Sequence, residues 1–211
     1  TYPINETMLH SGPPHTSNDA YAYAKRMLQI QSNAYNEQHN RNFICIVPTN
    51  IYGPHDNFHL DDAHVIPALI HQCYLAKQNN NPFIIKGTGK PLRQFIYSTD
   101  LATLIMWTVE TYNLKDSLII SVGEEHEISI KDISHLIAKE FNYENNMLFD
   151  SNYSDGQFKK TADNSKLLQH HGPFKFTHIN DGIKQSVCWF VHNYGRAEIV
   201  NLAKYRVIKS K

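Results

Sequence analysis

The chain has 211 residues, 41% of them hydrophobic, and its 20 basic side chains balance 20 acidic ones. That length is enough for one domain or a large piece of one. The balanced charge gives no basic field for nucleic acid, and no apolar run reaches membrane-spanning length. The cysteines Cys45, Cys73 and Cys188 have no metal spacing, and among 13 histidines only His170 and His171 are adjacent. Neither a disulfide framework nor a metal centre is expected, and a reducing, intracellular compartment fits best.

Residues 1 to 18 read as a loop, broken by Pro3, Gly12, Pro13 and Pro14, with neither an initiator Met nor a signal-peptide pattern. Ser17, Asn18 and Asp19 are N-cap candidates for a helix over about 19 to 39, with Tyr21, Ala24, Leu28 and Tyr35 on one stripe. The apolar run Phe43–Val47 predicts a strand buried on both faces of a parallel sheet. Residues Pro48-Thr49-Asn50-Ile51-Tyr52-Gly53-Pro54 read as a loop at its carboxyl end, where α/β sheets bind ligands. A histidine-bearing loop, His55 to His64, leads into a helix from about Val65 with Pro67 in its first turn, closed by Asn79-Asn80-Asn81-Pro82.

Phe83–Ile85 and Arg93–Tyr97 are predicted strands around a Gly87–Pro91 turn. Ser98-Thr99-Asp100 is expected to cap a helix reaching about Tyr112, and Leu118–Val122 to form another strand. Ser129 should cap a helix from Ile130 to Phe141, followed by a short strand at Met147–Phe149 and a polar loop through Asp155-Gly156. A last helix is expected from Asn180-Asp181, and the basic tail from Arg196 is left without an assigned structure. Strands alternating with helices make the fold class α/β. After about residue 83 the strands shorten and the loops lengthen, pointing to a smaller subdomain beside the sheet.

Tyr21 and Lys25 are four residues apart and share one helix face. An ammonium beside a phenol stabilises the phenolate, which suits the tyrosine to passing a proton to a carbonyl oxygen as hydride arrives. For an isolated YxxxK an ordinary solvated pair is the commoner meaning. A reductase of this class should also carry a glycine-rich dinucleotide turn. The nearest approach, Gly87-x-Gly89-x-x-Leu92, lacks the third glycine and runs into Pro91. Either the sharper meaning fails, or the first half of the fold lies upstream of Thr1.

Further runs bear on that choice: Pro48-Thr49-Asn50-Ile51-Tyr52-Gly53-Pro54-His55-Asp56-Asn57-Phe58, His64-Val65-Ile66-Pro67, Gly87-Thr88-Gly89, Arg93-Gln94-Phe95-Ile96-Tyr97 and Ser154-Asp155-Gly156. In this order and spacing, with Tyr21-x-x-x-Lys25, they resemble the GDP-L-fucose synthase family of the extended short-chain dehydrogenase/reductase superfamily. The likeness runs over about residues 1 to 194 and corresponds to the carboxyl-terminal two-thirds of such an enzyme. It implies the carboxyl-terminal part of a Rossmann-like fold with a smaller α/β substrate-binding subdomain. Residues 1–82 would be the second half of the NADP-binding domain and 83–194 mainly the substrate subdomain, with some segments returning to the sheet. Residues 195–211 would be a basic tail.

The resemblance further implies a cytoplasmic homodimer that epimerises GDP-4-keto-6-deoxy-D-mannose at C3 and C5 and reduces its C4 ketone with NADPH. Tyr21 would protonate the C4 oxygen, Lys25 would stabilise the phenolate and hold the nicotinamide ribose, and His64 would be the epimerisation acid. Pro48, Thr49, Asn50 and Ile51 would line the nicotinamide pocket, with Tyr21, Lys25 and His64 also facing the cofactor. Arg93 would hold the substrate diphosphate and Asp155 the substrate end. Out of context, His64 is a loop histidine, Pro48–Ile51 a rigid turn, and Arg93 or Asp155 a surface ion-pair residue.

Two substrate positions depart from the pattern: Lys86 stands where many members carry a stacking tryptophan, and Gln72 where a basic residue is usual. The family's cysteine base and a ketone-binding serine belong to the half not represented, and Cys45, Cys73 and Cys188 do not replace that cysteine. Two other meanings stay open: another NAD(P)-dependent sugar-nucleotide epimerase or reductase, and a non-catalytic, binding or dimer-forming paralogue. Without the first strands an open sheet edge and uncovered helix faces are expected to make the isolated chain poorly soluble and inactive.

Overall fold

The first long element is a helix whose apolar stripe faces solvent. A computed structural model describes the backbone of residues 2–209 and the side chains of residues 2–194, Ser17 excepted. In it α1 spans Asp19–His39, and its only buried residue is Asn36. Tyr21 and Leu28, on the predicted stripe, are 60% and 52% exposed. The helix ends where Asn40 takes a left-handed conformation (φ 47°), which asparagine tolerates better than most residues.

β1 spans Ile46–Pro48, so the strand predicted from Phe43 starts later. The reason is local. Phe43 N–H donates to Asn36 Oδ1 at 2.7 Å, and Asn36 Nδ2 donates to the Phe43 carbonyl at 2.8 Å. Both backbone groups of Phe43 are therefore engaged by α1. The segment expected to be only a loop contains β2, Asn50–Tyr52. It pairs in parallel with β5, Phe95–Tyr97, and Asn50 Nδ2 extends that contact by donating to the Gln94 carbonyl.

α2 covers Val65–Gln78, with Pro67 tolerated in its first turn, and β3 covers Phe83–Lys86. The single strand expected at Arg93–Tyr97 is divided into β4, Leu92–Arg93, and β5 by buried Gln94. Gln94 donates to the carbonyls of Val122 and Ala162 and accepts from the Ala162 N–H, joining three segments. α3 spans Ser98–Thr111, but its N-cap is Tyr97 and no side chain caps it. Asp100, expected in a cap, instead accepts from the N–H and hydroxyl of Thr177 at 2.7 and 2.9 Å.

β6 (Leu118–Ile120) pairs in parallel with β1, and β7 (Ile128–Ser129) antiparallel with β4. Ser129 does cap α4, Ile130–Glu140, by accepting from the Asp132 N–H. β8 (Met147–Asp150) pairs in parallel with β3 from Phe83↔Met147 to Lys86↔Asp150. The sequence analysis assigned no helix to Ser165–His171, which is α5. α6 begins at Ile179, one residue before the expected start, and its backbone continues to Lys209 through the stretch left without assignment.

Two apolar cores result. One joins α2, β3, α4 and α6 through Ile70, Cys73, Phe83, Ile137, Ile183 and Phe190. The other joins β5, α3, β6 and α5 through Ile96, Leu104, Leu118, Ile120 and Leu167. Parallel strands linked by helical crossovers make this an α/β, Rossmann-like fold.

Candidate functional site

α1 carries the Tyr21–Lys25 pair on an open face, with Lys25 Nζ 5.5 Å from the centroid of the Tyr21 ring. Its ammonium charge reaches the Cys45 thiol just before β1, lowering a pKa that burial raises more strongly. The double hydrogen bond between Asn36 and Phe43 fixes where the helix meets that strand.

Between β1 and β2, Thr49 N–H donates to the Ile120 carbonyl at 3.3 Å, while its buried hydroxyl has no hydrogen-bond partner. Ile51 leaves 40% of its surface exposed. An orphaned hydroxyl beside an exposed apolar side chain, at the carboxyl end of a parallel strand, fits an amide-bearing aromatic ring. The amide nitrogen of Asn50 is already committed to Gln94.

His64 is the N-cap residue of α2 but uses its backbone rather than its ring: its carbonyl accepts from the Ala68 N–H at 2.9 Å. Its exposed imidazole lies within electrostatic reach of Asp56, whose carboxyl pKa is raised chiefly by burial and drawn partly back by the Asn57 N–H and by His64.

A cavity of about 300 Å³ opens beside α2, and Gln72, Lys86, Arg93 and Asp155 all line it. Val65, next to His64, and Leu69 supply apolar wall. A second cavity of about 400 Å³ shares Gln72 and Lys86 and adds Asp150 and Tyr153. Lys86 Nζ lies 4.9 Å from the Tyr153 ring centroid. Arg93 is positioned by the carbonyls of Leu92 and Gln157 at 2.7 and 2.8 Å, and burial lowers its pKa. Two cations against an apolar wall suit a phosphorylated ligand with a ring system.

The Gly87-Thr88-Gly89 turn packs against neighbouring side chains. A Cβ on Gly87 would meet the Asp155 carboxylate and one on Gly89 the Phe149 ring, so the glycines admit these side chains. Both have positive φ, 89° and 73°, as the tight turn requires.

The four positions expected to contact substrate are thus brought together in one cavity, with His64 next in sequence to wall residues. Tyr21, Lys25 and Pro48–Ile51 lie on other elements and do not line this cavity. Asp150, Tyr153 and Gln94 were not singled out from sequence. The first two are near neighbours of Ser154-Asp155-Gly156, which was the available signal. Gln94 stood inside the Arg93–Tyr97 run, but nothing local marked its own role, which lies in contacts 28 and 68 residues away. Among the described residues, no cluster of three or more His, Cys, Asp or Glu is arranged to hold a metal ion, and no helix is long and apolar enough to cross a membrane.

The chain belongs to the NAD dependent epimerase/dehydratase family, whose model matches residues 1–123. It is 54% identical over 197 residues to the GDP-L-fucose synthase of Dictyostelium discoideum, covering 93% of this chain and 62% of that protein. A probable GDP-L-fucose synthase of Drosophila melanogaster is 42% identical, with 93% and 64% covered. A solved GDP-L-fucose synthetase from Naegleria fowleri, bound to NADP, superposes with a TM-score of 0.90 at 46% identity, covering 92% of this chain and 62% of that one. The chain therefore spans a little under two thirds of the length of these relatives.

Proposed function

We propose that this chain is the carboxyl-terminal part of a GDP-L-fucose synthase, an NADP-dependent oxidoreductase and epimerase acting on GDP-4-keto-6-deoxy-D-mannose. The observation that carries the reading is the cavity shared by Gln72, Lys86, Arg93 and Asp155, whose lining residues Ala63 and Val65 flank His64. In this reading residues 1–82 contribute the second half of the cofactor domain and 83–194 mainly the substrate subdomain, with β6 returning to pair with β1. The working protein is a cytoplasmic homodimer, and the 211-residue chain alone does not turn over because its sequence holds no glycine-rich dinucleotide turn.

NADPH, when bound, supplies hydride to C4 of the sugar. Tyr21, Lys25 and Pro48–Ile51 are the residues here that would hold its nicotinamide and ribose. The C4 ketone acidifies the hydrogens on C3 and C5. Each inversion passes a proton from one face of the ring to a base outside residues 1–211, where the resemblance puts a cysteine, and returns one to the other face from His64, the two groups being reset by solvent. In the reduction Tyr21 gives its hydroxyl proton to O4, Lys25 stabilises the resulting phenolate, and solvent reprotonates it. Arg93 and Lys86 hold the diphosphate against the apolar wall.

The test is to supply the full-length enzyme with GDP-4-keto-6-deoxy-D-mannose and NADPH and identify the product. Conversion to GDP-L-fucose is expected. Tyr21→Phe should slow reduction by about 100-fold or more, and His64→Asn should yield reduced sugar lacking the inversions. Turnover of uridine- or thymidine-linked sugars instead would replace this reading with another epimerase or reductase.

A further inference from the structure

The carboxylate of Asp155 lines the same cavity as Lys86 and Arg93. A negative side chain there opposes a diphosphate unless its own charge is already taken up by donors. The structure shows what takes it up. Thr88 N–H donates to Asp155 Oδ1 and Thr88 Oγ1 to Asp155 Oδ2, both at 2.6 Å. Oγ1 is in turn oriented by the Lys90 N–H at 3.2 Å. Gly87 leaves the space this grip needs, since a Cβ there would collide with Asp155 Oδ1.

The other side of the same loop is tied to Arg93. The guanidinium donates to the Gln157 carbonyl at 2.8 Å, and Leu92 N–H donates to the Phe158 carbonyl at 2.9 Å. Gly156, at φ 67°, lets the chain turn between the two attachments. Ser154 to Phe158 is thus held at Thr88 on one side and at Arg93 on the other.

We infer that Thr88 is a positioning residue of the nucleotide-sugar site: it solvates the Asp155 carboxylate, holds Ser154–Phe158 along the cavity, and so sets how Asp155 and Arg93 meet the nucleotide sugar, Arg93 at its diphosphate. Without its hydroxyl the carboxylate loses a fixed donor, and its charge then acts against a diphosphate in the cavity that it lines together with Arg93. This rests on the nucleotide-sugar reading of the cavity.

The test is calorimetric titration of GDP alone into the purified wild-type protein, Thr88→Val, Thr88→Ser, Asp155→Asn and the Thr88→Val/Asp155→Asn double variant. Amide hydrogen exchange over residues 154–158 is followed in parallel. Thr88→Val is expected to weaken GDP on the order of 10-fold, the scale of losing one hydrogen bond to a charged group, and to speed exchange in the loop. Thr88→Ser, which keeps both donors, should restore binding and protection. The double variant should bind no more weakly than the weaker single variant, because both act through one contact.

Wild-type affinity in Thr88→Val, or additive losses in the double variant, would overturn the proposal. So would a failure of Thr88→Ser to recover binding. A wild-type protein that ignores GDP while Thr88→Val still loosens the loop also overturns it, and places the failure in the nucleotide reading rather than in the latch.

Discussion

Tyr52 and Gly182 touch so closely that a Cβ on the glycine would run into the tyrosine hydroxyl. Tyr52 is 1% exposed, and burial is the main cause raising its pKa, so its ring is fixed in the core and cannot yield. Gly182→Ala is therefore expected to cost about 1–3 kcal/mol by overpacking, although alanine is the better helix former. Denaturant titration checks this, and a stabilised variant would contradict it. The thiols differ for a related reason. Cys73 is fully buried in the first core and its pKa is pushed up to about 12, whereas Cys188 is exposed. Timed alkylation read by mass spectrometry should label Cys188 first and Cys73 only on unfolding, since the thiolate is the reacting form. Asp155 shifts the other way, below its ordinary 3.8, with the Thr88 hydroxyl the largest cause and the Thr88 N–H next. A depressed carboxyl holds its contact above its unfolded value and loses it only as pH falls through the lower, folded one. Protection of residues 154–158 should therefore persist from neutral pH down past 3.8, and in Thr88→Val should fail at higher pH than in the wild type.

Among the elements, those whose ends are written in local chemistry were legible in the sequence. α1, α2 and α4 carry their stop or cap residues with them: Asn40 in the left-handed region, Asn79 and Ser129. Elements set by distant partners were not. β2 lies between Pro48 and Gly53, both turn signals, and becomes a strand only because Phe95–Tyr97 lies beside it. Phe43 looks like strand and is instead held by an asparagine seven residues away. α5, seven residues long, has too few turns to show a period, and Leu167 anchors it to the second core. Of the four positions expected to contact substrate, all lining one cavity, Arg93 and Asp155 lay in recognisable runs while Gln72 and Lys86 departed from the pattern, and the place of Gln94 depends on hydrogen bonds to Val122 and Ala162 that no local pattern records. The Asn36 contact can be tested directly. Asn36→Ala removes both hydrogen bonds to Phe43, and a loss of about 1–3 kcal/mol is expected, with faster amide exchange at Phe43. Unchanged exchange there would mean the strand start is fixed by something else.

At the scale of the molecule, the described strands form four two-stranded pairs, so each has a single strand neighbour, and its other edge meets no strand, only isolated contacts such as Glu6 at Ile119 and Phe158 at Leu92. An unpaired parallel edge is a template for association. Alongside this, α1 presents Tyr21, Tyr23, Met27, Leu28, Ile30 and Tyr35 to solvent, six large apolar side chains on one helix. Helices draw most of their stability from packing, and this one buries a single residue. Both features predict the same behaviour for the 211-residue chain by itself. It should elute well above 24.4 kDa in size-exclusion chromatography and bind a dye specific for exposed apolar surface. The two sources can be separated. Replacing Leu28 and Tyr35 together by glutamate changes α1 alone and leaves every strand edge as it was. If the helix face drives association, that double variant should shift toward the monomer and lose most of its dye signal. If elution is unaltered, the strand edges are responsible. A wild-type chain that runs as a compact, dye-silent monomer would show that neither surface needs cover.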